Sequence, residues 1–335
     1  MKLRTLAEGH SGARVHGGAD PEITGISYDS RTVERGHLFA ALRGEKMDGL
    51  EFVPGARRRG AAAVLSERTP SVDIPWIEVS DARAALADLA AAFYGRPAEK
   101  LSLAGVTGTN GKTTTAFLIE AGLRDAGRVT GLLGTVETRV AGRPRPASLT
   151  TPECSDLQRL FAEMVSEGVT DAALEVSSHA LSQGRVRGVN FKAAVFTNLT
   201  RDHLDYHKTF EAYFEAKSRL FTEHLRTDGR AIVNIDDEWG RRLASLLGSE
   251  RCLTFSQAPG ADFHPEDLSL SLAGTGFTAV TPAGRARVDS PLVGHFNVSN
   301  LLGALGALVA MGLSPAQAAR GVSNLAGVPG RMERV

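Results

Sequence analysis

The sequence predicts an α/β protein of two domains, a small α/β one at the N-terminus and a larger one built on a mostly parallel sheet. Three observations carry that expectation. The chain has 335 residues, more than one small domain holds. After residue 100 apolar runs and helical patterns settle into repeated strand–loop–helix units. Between the two textures lies RPAEK (96–100), which breaks the pattern and exposes charge, as a linker does.

In the first domain, residues 1–95, the stretches ITGISYDS (23–30), HLFAAL (37–42), AAAVLSE (61–67) and WIEVS (76–80) read as short strands. DARAALADLAAAFYG (81–95) reads as a helix with Asp81 as N-cap and Gly95 as its stop. The second domain spans 101–328. LSLAGV (101–106) is a strand, followed by a Gly/Thr loop and a helix to about 126. SDLQRLFAEMVSEG (155–168) is a helix that we expect Ser155 to cap. DAALEVSS (171–178) and KAAVFTN (192–198) are apolar runs with polar ends, and RAIVNID (230–236) is a strand before a helix to about 247. Residues 268–289 read as a small antiparallel meander, and helices near 297–312 and 314–325 close the unit. In such sheets the loops at the carboxyl ends of strands carry ligands, so the polar endings are where a site belongs.

Composition narrows the function. Lys+Arg and Asp+Glu are both 38, a balance that argues against a nucleic-acid partner. The two cysteines, Cys154 and Cys252, lie far apart and form neither a disulfide framework nor a zinc spacing, so we expect them to be structural. MKLRTLAEGHSGARV lacks the apolar core of a signal peptide. LLGALGALVAMGL (301–313) falls short of the ~20 apolar residues of a membrane span and fits a buried helix. The expectation is a soluble, cytoplasmic protein without membrane insertion.

GVTGTNGKTTT (105–115) sits between a strand and a helix. Its glycines permit unusual backbone angles that leave N–H groups free for phosphate oxygens, and the helix N-terminus adds positive potential. Lys112 can reach terminal phosphates and the Thr113 hydroxyl can ligate Mg²⁺. The strict G-x-x-x-x-G-K-[ST] pattern is not met, because Val106 stands where its first glycine would. That points to a particular subclass of nucleotide-binding loop.

The stretch from Thr197 to Leu225 is the densest in chemistry. From Thr209, a plausible N-cap, Phe210, Tyr213, Phe214, Leu220 and Phe221 repeat at helical spacing and form an apolar face. Lys217 falls on that face. It needs a partner there, or a neutral form, or a stem lying on the core with its head in water. Upstream, Asp202, His203, Asp205 and His207 follow a strand end, and Glu175 ends the DAALE strand. Each could be a cap or turn residue; with a phosphate loop in the same sheet, Glu175 and His203 are the favoured metal ligands.

Several stretches together resemble the Mur ligase family: GTNGKTTT, SLTTPE (148–153), EVSSHALSQGRV (175–186), TNLTRDHLDYHKT (197–209), EAKSRLF (215–221), GHFNVSNLLGA (294–304) and GVPGRME (327–333), with DSR (29–31) and DG (48–49) matching its N-terminal domain. The resemblance covers nearly the whole chain. It is strongest to the branch that extends UDP-MurNAc-L-Ala-D-Glu by one amino acid, meso-diaminopimelate or L-lysine, in peptidoglycan precursor synthesis. It implies a UDP-binding first domain, a P-loop ATPase-like central domain, and ATP and Mg²⁺ as cofactors. The substrate carboxylate would take the ATP γ-phosphoryl group, and the amine would then displace phosphate from the acyl phosphate.

The resemblance also implies roles. Lys112, Lys217 and His203 would be catalytic, with Lys217 carbamylated to N6-carboxylysine. Thr113 would serve one Mg²⁺, and Glu175, His203 and the Lys217 carbamate the other. Gly108, Thr109, Asn110, Gly111, Lys112, Thr113 and Thr114 would hold ATP phosphates. Asn297 and Asn300 would read adenine, with helix capping as the other reading of Asn297, and Arg331 would reach the nucleotide. Tyr28, Ser30, Glu45, Lys46 and Met47 would contact the UDP portion. Thr150, Thr151, Ser177, Gln183 and Arg185 would hold the muramoyl-peptide.

Residues 329–335 then read as the start of a hinge. Family members carry a third domain for the incoming amino acid, and nothing in 1–335 matches its DNPR motif, so the expectation is a fragment inactive by itself, and a monomer. Two other readings stand: a two-domain binder of UDP-muramoyl-peptide or ATP without turnover, and a folylpolyglutamate synthase, against which residues 1–95 argue.

Overall fold

The computed structural model describes residues 1–44 and 47–330. Its contacts divide into two units. The first comprises Met1–Ala98, Glu153–Ala162 and Gln183–Gly188; the second comprises Glu99–Pro152, Glu163–Ser182 and the chain from Val189.

Along the chain the first unit runs α1 (Leu3–Ala7), β1 (Arg14–His16), β2 (Gly25–Ser27), β3 (His37–Ala40), α2 (Val53–Arg59), β4 (Ala63–Ser66), β5 (Trp76–Glu78) and α3 (Ala82–Phe93). The sheet order is β1-β5-β4-β3-β2, with β1 antiparallel and the others parallel. Side chains alternate between its faces. Leu38, Ala40, Leu65 and Ile77 join Leu3, Leu6, Leu86 and Leu89 in one core, whereas Phe39, Val64 and Trp76 join Val53 and Ala56 in another. Asp81 caps α3 as expected: its carboxylate accepts from the N–H groups of Arg83 and Ala84 at 3.0 and 2.9 Å. Gly95 follows in the left-handed region, φ +74°. A single 3₁₀ turn, Pro97–Lys100, leads on and buries Pro97 and Ala98.

The second unit continues with β6 (Ser102–Thr107), α4 (Lys112–Asp125), β7 (Thr130–Leu133), β8 (Glu137–Val140), β9 (Arg143–Pro146), α5 (Cys154–Ser166, whose first residues belong to the first unit), β10 (Asp171–Glu175), α6 (Ser178–Ser182), β11 (Phe191–Phe196), α7 (Leu204–His207), α8 (Phe210–Thr222), β12 (Leu225–Asn234), α9 (Glu238–Leu247) and β13 (Cys252–Phe255). Then come β14 (His264–Ser271), β15 (Gly274–Thr281), β16 (Gly284–Ser290), α10 (His295–Ala310) and α11 (Pro315–Ser323). Eight strands run β13-β12-β11-β6-β10-β7-β8-β9, parallel from β13 to β7 and antiparallel at the β8–β9 edge. The expected meander is the three-stranded antiparallel sheet β14-β15-β16.

From Leu301 to Leu308 α10 is apolar all round because it is enclosed there: Leu301, Leu302, Leu305 and Leu308 share one core with Phe117 of α4, Ile232 of β12, Phe277 of β15 and Val322 of α11. Among the described residues no helix is long and apolar enough to cross a membrane.

Some boundaries differ from the sequence expectation. α5 starts at Cys154, and the Leu157 N–H already bonds Glu153 O at 2.8 Å. Ser155 is therefore inside the helix and does not cap it; its buried hydroxyl has no hydrogen-bond partner. β12 begins at Leu225 and the meander at His264. β7, β8 and β9 were not anticipated. β9 is RPRP, fully exposed, a composition that only a sheet edge tolerates.

Candidate active site

β10, β6 and β11 are neighbours and parallel, with Glu175 opposite Val106 and Phe196 opposite Thr107. Their carboxyl ends therefore lie side by side. The loop after β6 is 108–111, that after β11 begins at Thr197, and Glu175 is the last residue of β10. These ends open on a cavity of about 780 Å³ lined by Thr109–Thr114, Thr135, Thr150, Glu175, Ser177, Ser178, Thr197, Asn198, His203 and Lys217, together with Asn234, Phe255, Leu292, Phe296, Asn297, Ser299, Asn300, Val328 and Gly330. That volume lies in the usual range for small-molecule sites.

The phosphate loop is held by its neighbour. Thr109 N–H donates to Asn198 O at 2.8 Å and Asn110 N–H to Asn198 Oδ1 at 3.0 Å, while Thr197 Oγ1 and Asn198 Nδ2 both donate to Asn110 O. Gly108 (φ +149°) and Gly111 (φ +86°) have backbones that L side chains rarely adopt. A Cβ on Gly108 would collide with Thr197 Oγ1, and one on Gly111 with Asn300 Oδ1. Gly111 then caps α4, so the helix N-terminus faces the cavity.

Two lysines converge on this loop. Lys112 Nζ donates to Gly108 O at 2.9 Å and Thr109 O at 2.8 Å. Lys217 Nζ donates to the same Gly108 O at 2.8 Å and lies 4.5 Å from the centre of the Tyr213 ring. Thr209 caps α8 through Ala212 N–H, and Tyr213, Phe214, Leu220 and Phe221 bury its apolar face. Lys217 is 1 % exposed, so its head does not reach water. Burial, and after it the charge of Lys112, pushes the Lys217 amine well below its ordinary value.

Glu175 is fully buried and accepts three hydrogen bonds: Thr113 Oγ1 at 3.0 Å, Thr135 N–H at 2.7 Å and Thr135 Oγ1 at 3.0 Å. His203 stands at the amino end of α7 in the left-handed region, φ 51°, on the cavity wall. Its ring meets His179 edge-on at 4.9 Å. His207 points inward instead: Nε2 lies 2.9 Å from Ser178 Oγ and the ring stacks on Tyr213 at 5.0 Å. Burial first, and then the neighbouring His179 and Lys217 side chains, hold its imidazole down to about 4.

Asn297 is not a cap. α10 starts at His295, Asn297 Nδ2 donates back to Val293 O at 2.9 Å, and Asn300 Nδ2 donates to Asn297 Oδ1 at 2.9 Å. Thr151 Oγ1 donates to Glu175 O at 2.8 Å and accepts from Ser177 N–H at 3.0 Å; Thr150 Oγ1 lies 3.0 Å from Thr135 Oγ1. Gln183 and Arg185 belong to the first unit, where Arg185 donates to Gln183 Oε1 and pairs with Glu153 at 2.9 Å. Tyr28, in the same unit, donates to Asp156 Oδ2 at 3.0 Å, and burial followed by that charge raises its phenol. Ser30 lies half-buried in the turn after β2 and Met47 is exposed. Glu45, Lys46 and Arg331 lie outside the described residues. Cys154 and Cys252 are buried, and burial pushes each thiol up to about 12.

Sequence reasoning missed Thr135, Thr197, Asn198, His179 and Phe296. The polar TN ending of KAAVFTN carried a signal for two of them. Thr135 follows a strand that no pattern revealed.

A parallel sheet with a phosphate loop at its centre, a lysine and a buried carboxylate at adjoining strand ends defines a P-loop-type α/β nucleotide-binding protein. The comparisons take this further. The family model for the Mur ligase middle domain matches residues 106–308, and that for the Mur ligase family catalytic domain matches 22–94. The chain belongs to the Mur ligase family. It is 51 % identical, over 94 % of its length and 64 % of the relative's, to the UDP-N-acetylmuramoyl-L-alanyl-D-glutamate–2,6-diaminopimelate ligase of Gloeobacter violaceus. To the enzyme of the same name from Geobacillus kaustophilus it is 47 % identical over its whole length and 69 % of that relative. A solved structure of a 2,6-diaminopimelate ligase of this kind superposes with a TM-score of 0.81 at 35 % identity, covering 93 % of this chain and 64 % of that one. MurF from Acinetobacter baumannii (TM-score 0.77, 24 % identity, 98 % and 69 % covered) shares the fold. The resemblance drawn from the motifs is borne out, and with it the α/β architecture.

Proposed function

We propose that the chain carries the UDP-binding (1–95) and ATP-binding (101–328) parts of an ATP-dependent ligase that joins 2,6-diaminopimelate to UDP-MurNAc-L-Ala-D-Glu in the cytoplasm, during peptidoglycan precursor synthesis. The choice of diaminopimelate over lysine rests on the names of relatives 44–51 % identical to the chain. The carrying observation is Lys217: a lysine buried on the apolar face of α8 with its amine in the phosphate loop, 2.8 Å from Gly108 O and beside Lys112.

A carboxylate attacking a phosphate brings anion to anion, so the site must gather positive charge. Lys112 and the amino end of α4 supply it from this chain. For Mg²⁺, the donor set fits. Thr113 and Glu175 place hard oxygen donors beside the phosphate loop, and His203 lines the same cavity. Among the described residues no three His, Cys, Asp or Glu side chains gather into a complete cage. Mg²⁺ needs none, because it binds through one or two carboxylates and substrate phosphates. When bound it would neutralise charge between the nucleotide and the attacking carboxylate.

Lys217 with its lowered affinity for protons is the amine form that adds CO₂: a C–N bond forms, a proton leaves, and the side chain becomes an anion. Such an anion satisfies the buried position better than an ammonium pressed against Lys112. Thr150, Thr151 and Ser177 would then face the peptide end of the substrate, and Phe296, Asn297 and Asn300 the adenine. The test is product formation by the protein as the cell makes it. ADP release sustained over many turnovers should require Mg²⁺, UDP-MurNAc-L-Ala-D-Glu and diaminopimelate together; sustained release indifferent to the amine would overturn the reading.

A further inference from the structure

We propose that Thr135 is a positioning residue of this site, which fixes the Glu175 carboxylate for a divalent cation and ties it to the hydroxyl of Thr150. The inference rests on the Mg²⁺–nucleotide reading above and goes beyond it, since it assigns a residue and a polarity that the motifs do not.

Thr135 lies in the loop between β7 and β8 and supplies two of the three hydrogen bonds to Glu175, N–H to Oε1 at 2.7 Å and Oγ1 to Oε2 at 3.0 Å. The third comes from Thr113 Oγ1, also to Oε2, at 3.0 Å. Thr135 therefore grips both carboxylate oxygens, whereas Thr113 holds one. The residue before it provides independent support. A Cβ on Gly134 would collide with Glu175 Oε1, so a glycine there is what lets the loop close on the carboxylate.

The protons in this chain of groups can be assigned. A carboxylate accepts and cannot donate, and a hydroxyl has one proton. Thr113 and Thr135 both direct that proton at Glu175. The lone pairs of Thr113 are then turned away from the carboxylate, which is the polarity a cation requires. Thr135 Oγ1, 3.0 Å from Thr150 Oγ1, is left to accept, so Thr150 donates. With its proton committed, Thr150 meets the cavity as an acceptor. It suits a substrate amide N–H and disfavours a carboxylate. Cation and substrate sites are thus joined by one line of hydrogen bonds, Thr113–Glu175–Thr135–Thr150, all on the cavity wall.

The experiment is Mn²⁺ binding to the protein as the cell makes it, with a nonhydrolysable ATP analogue present, followed by electron paramagnetic resonance. Thr135→Val keeps the shape and the backbone N–H but removes the hydroxyl. Groups that orient metal ligands in this way typically account for about 10–100-fold in metal affinity, so Mn²⁺ binding should weaken by at least about tenfold. Thr135→Ser, which restores the hydroxyl, should bind as the unmodified chain does. Circular dichroism checks the fold, and Thr135→Ala replaces the valine variant if that one does not fold. Equal Mn²⁺ affinity for unmodified and hydroxyl-free chains overturns the inference alone, as does equal weakening of the serine and valine variants, which would mark a packing role. Failure of the unmodified chain to bind Mn²⁺ with nucleotide overturns the functional reading and the inference with it.

Discussion

Lys217 shows how a single residue can betray a site. On the apolar face of α8, Tyr213, Phe214, Leu220 and Phe221 belong by hydrophobicity and Lys217 does not. Its position was legible from the helical period alone, but its direction was not. Whether the amine reached water or turned inward depended on the phosphate loop, whose Gly108 carbonyl receives it. Lys217→Ala should lower amide formation by at least about a hundredfold, the scale of losing a main electrostatic group from an active site, in the protein as the cell makes it. Added bicarbonate should not restore activity, because the amine proposed to react with CO₂ is gone. Near-parental turnover of the variant would remove the carbamate role. Thr135 is the opposite case. Nothing in its neighbourhood of the sequence marks it, because its importance comes from Glu175, a residue on another strand.

At the scale of elements, helices with side-chain caps were readable and sheet edges were not. Asp81 and Thr209 cap α3 and α8 because a short side-chain oxygen before an apolar-periodic run has few other uses. Ser155 had the same look and failed, since the chain is already helical at Cys154. β8 and β9 escaped notice because an edge pair needs no apolar pattern. The first unit is also tied by charge. Asp88 on α3 accepts from Arg187 at 2.8 and 3.1 Å and pairs with His10 at 2.8 Å. Burial alone would raise this carboxyl, but the bonds from Arg187 and His10 outweigh burial and hold it below its ordinary value. An acid whose folded value lies below its unfolded one binds fewer protons when folded. It therefore contributes stability above the unfolded value, and that contribution is lost as pH falls through the folded one. The melting temperature of the unmodified chain should exceed that of Asp88→Asn at about pH 6, and the gap should close towards about pH 3. A gap independent of pH would show that Asp88 acts by packing.

For the molecule as a whole, two α/β units were expected from texture, and the parallel sheet from the alternation of elements. The sheet order was beyond the sequence, because it depends on which strands pair across crossovers. That order is what matters for chemistry: with β6 between β10 and β11, the phosphate loop, Glu175 and the Thr197–Asn198 clamp meet at one edge. The chain spans 64 % of the length of its Gloeobacter relative, so its activity is a proposal to be tested by chemistry. In the proposed reaction a substrate carboxylate takes the ATP γ-phosphoryl group and an amine then displaces phosphate. The bridging oxygen of that acyl phosphate comes from the carboxylate and leaves with the phosphate. UDP-MurNAc-L-Ala-D-Glu labelled with ¹⁸O in its glutamyl carboxylates is therefore the decisive substrate, turned over by the protein as the cell makes it with ATP, Mg²⁺ and diaminopimelate. Inorganic phosphate should carry a single ¹⁸O for each amide formed, read by mass spectrometry; phosphate free of ¹⁸O would contradict an acyl phosphate route.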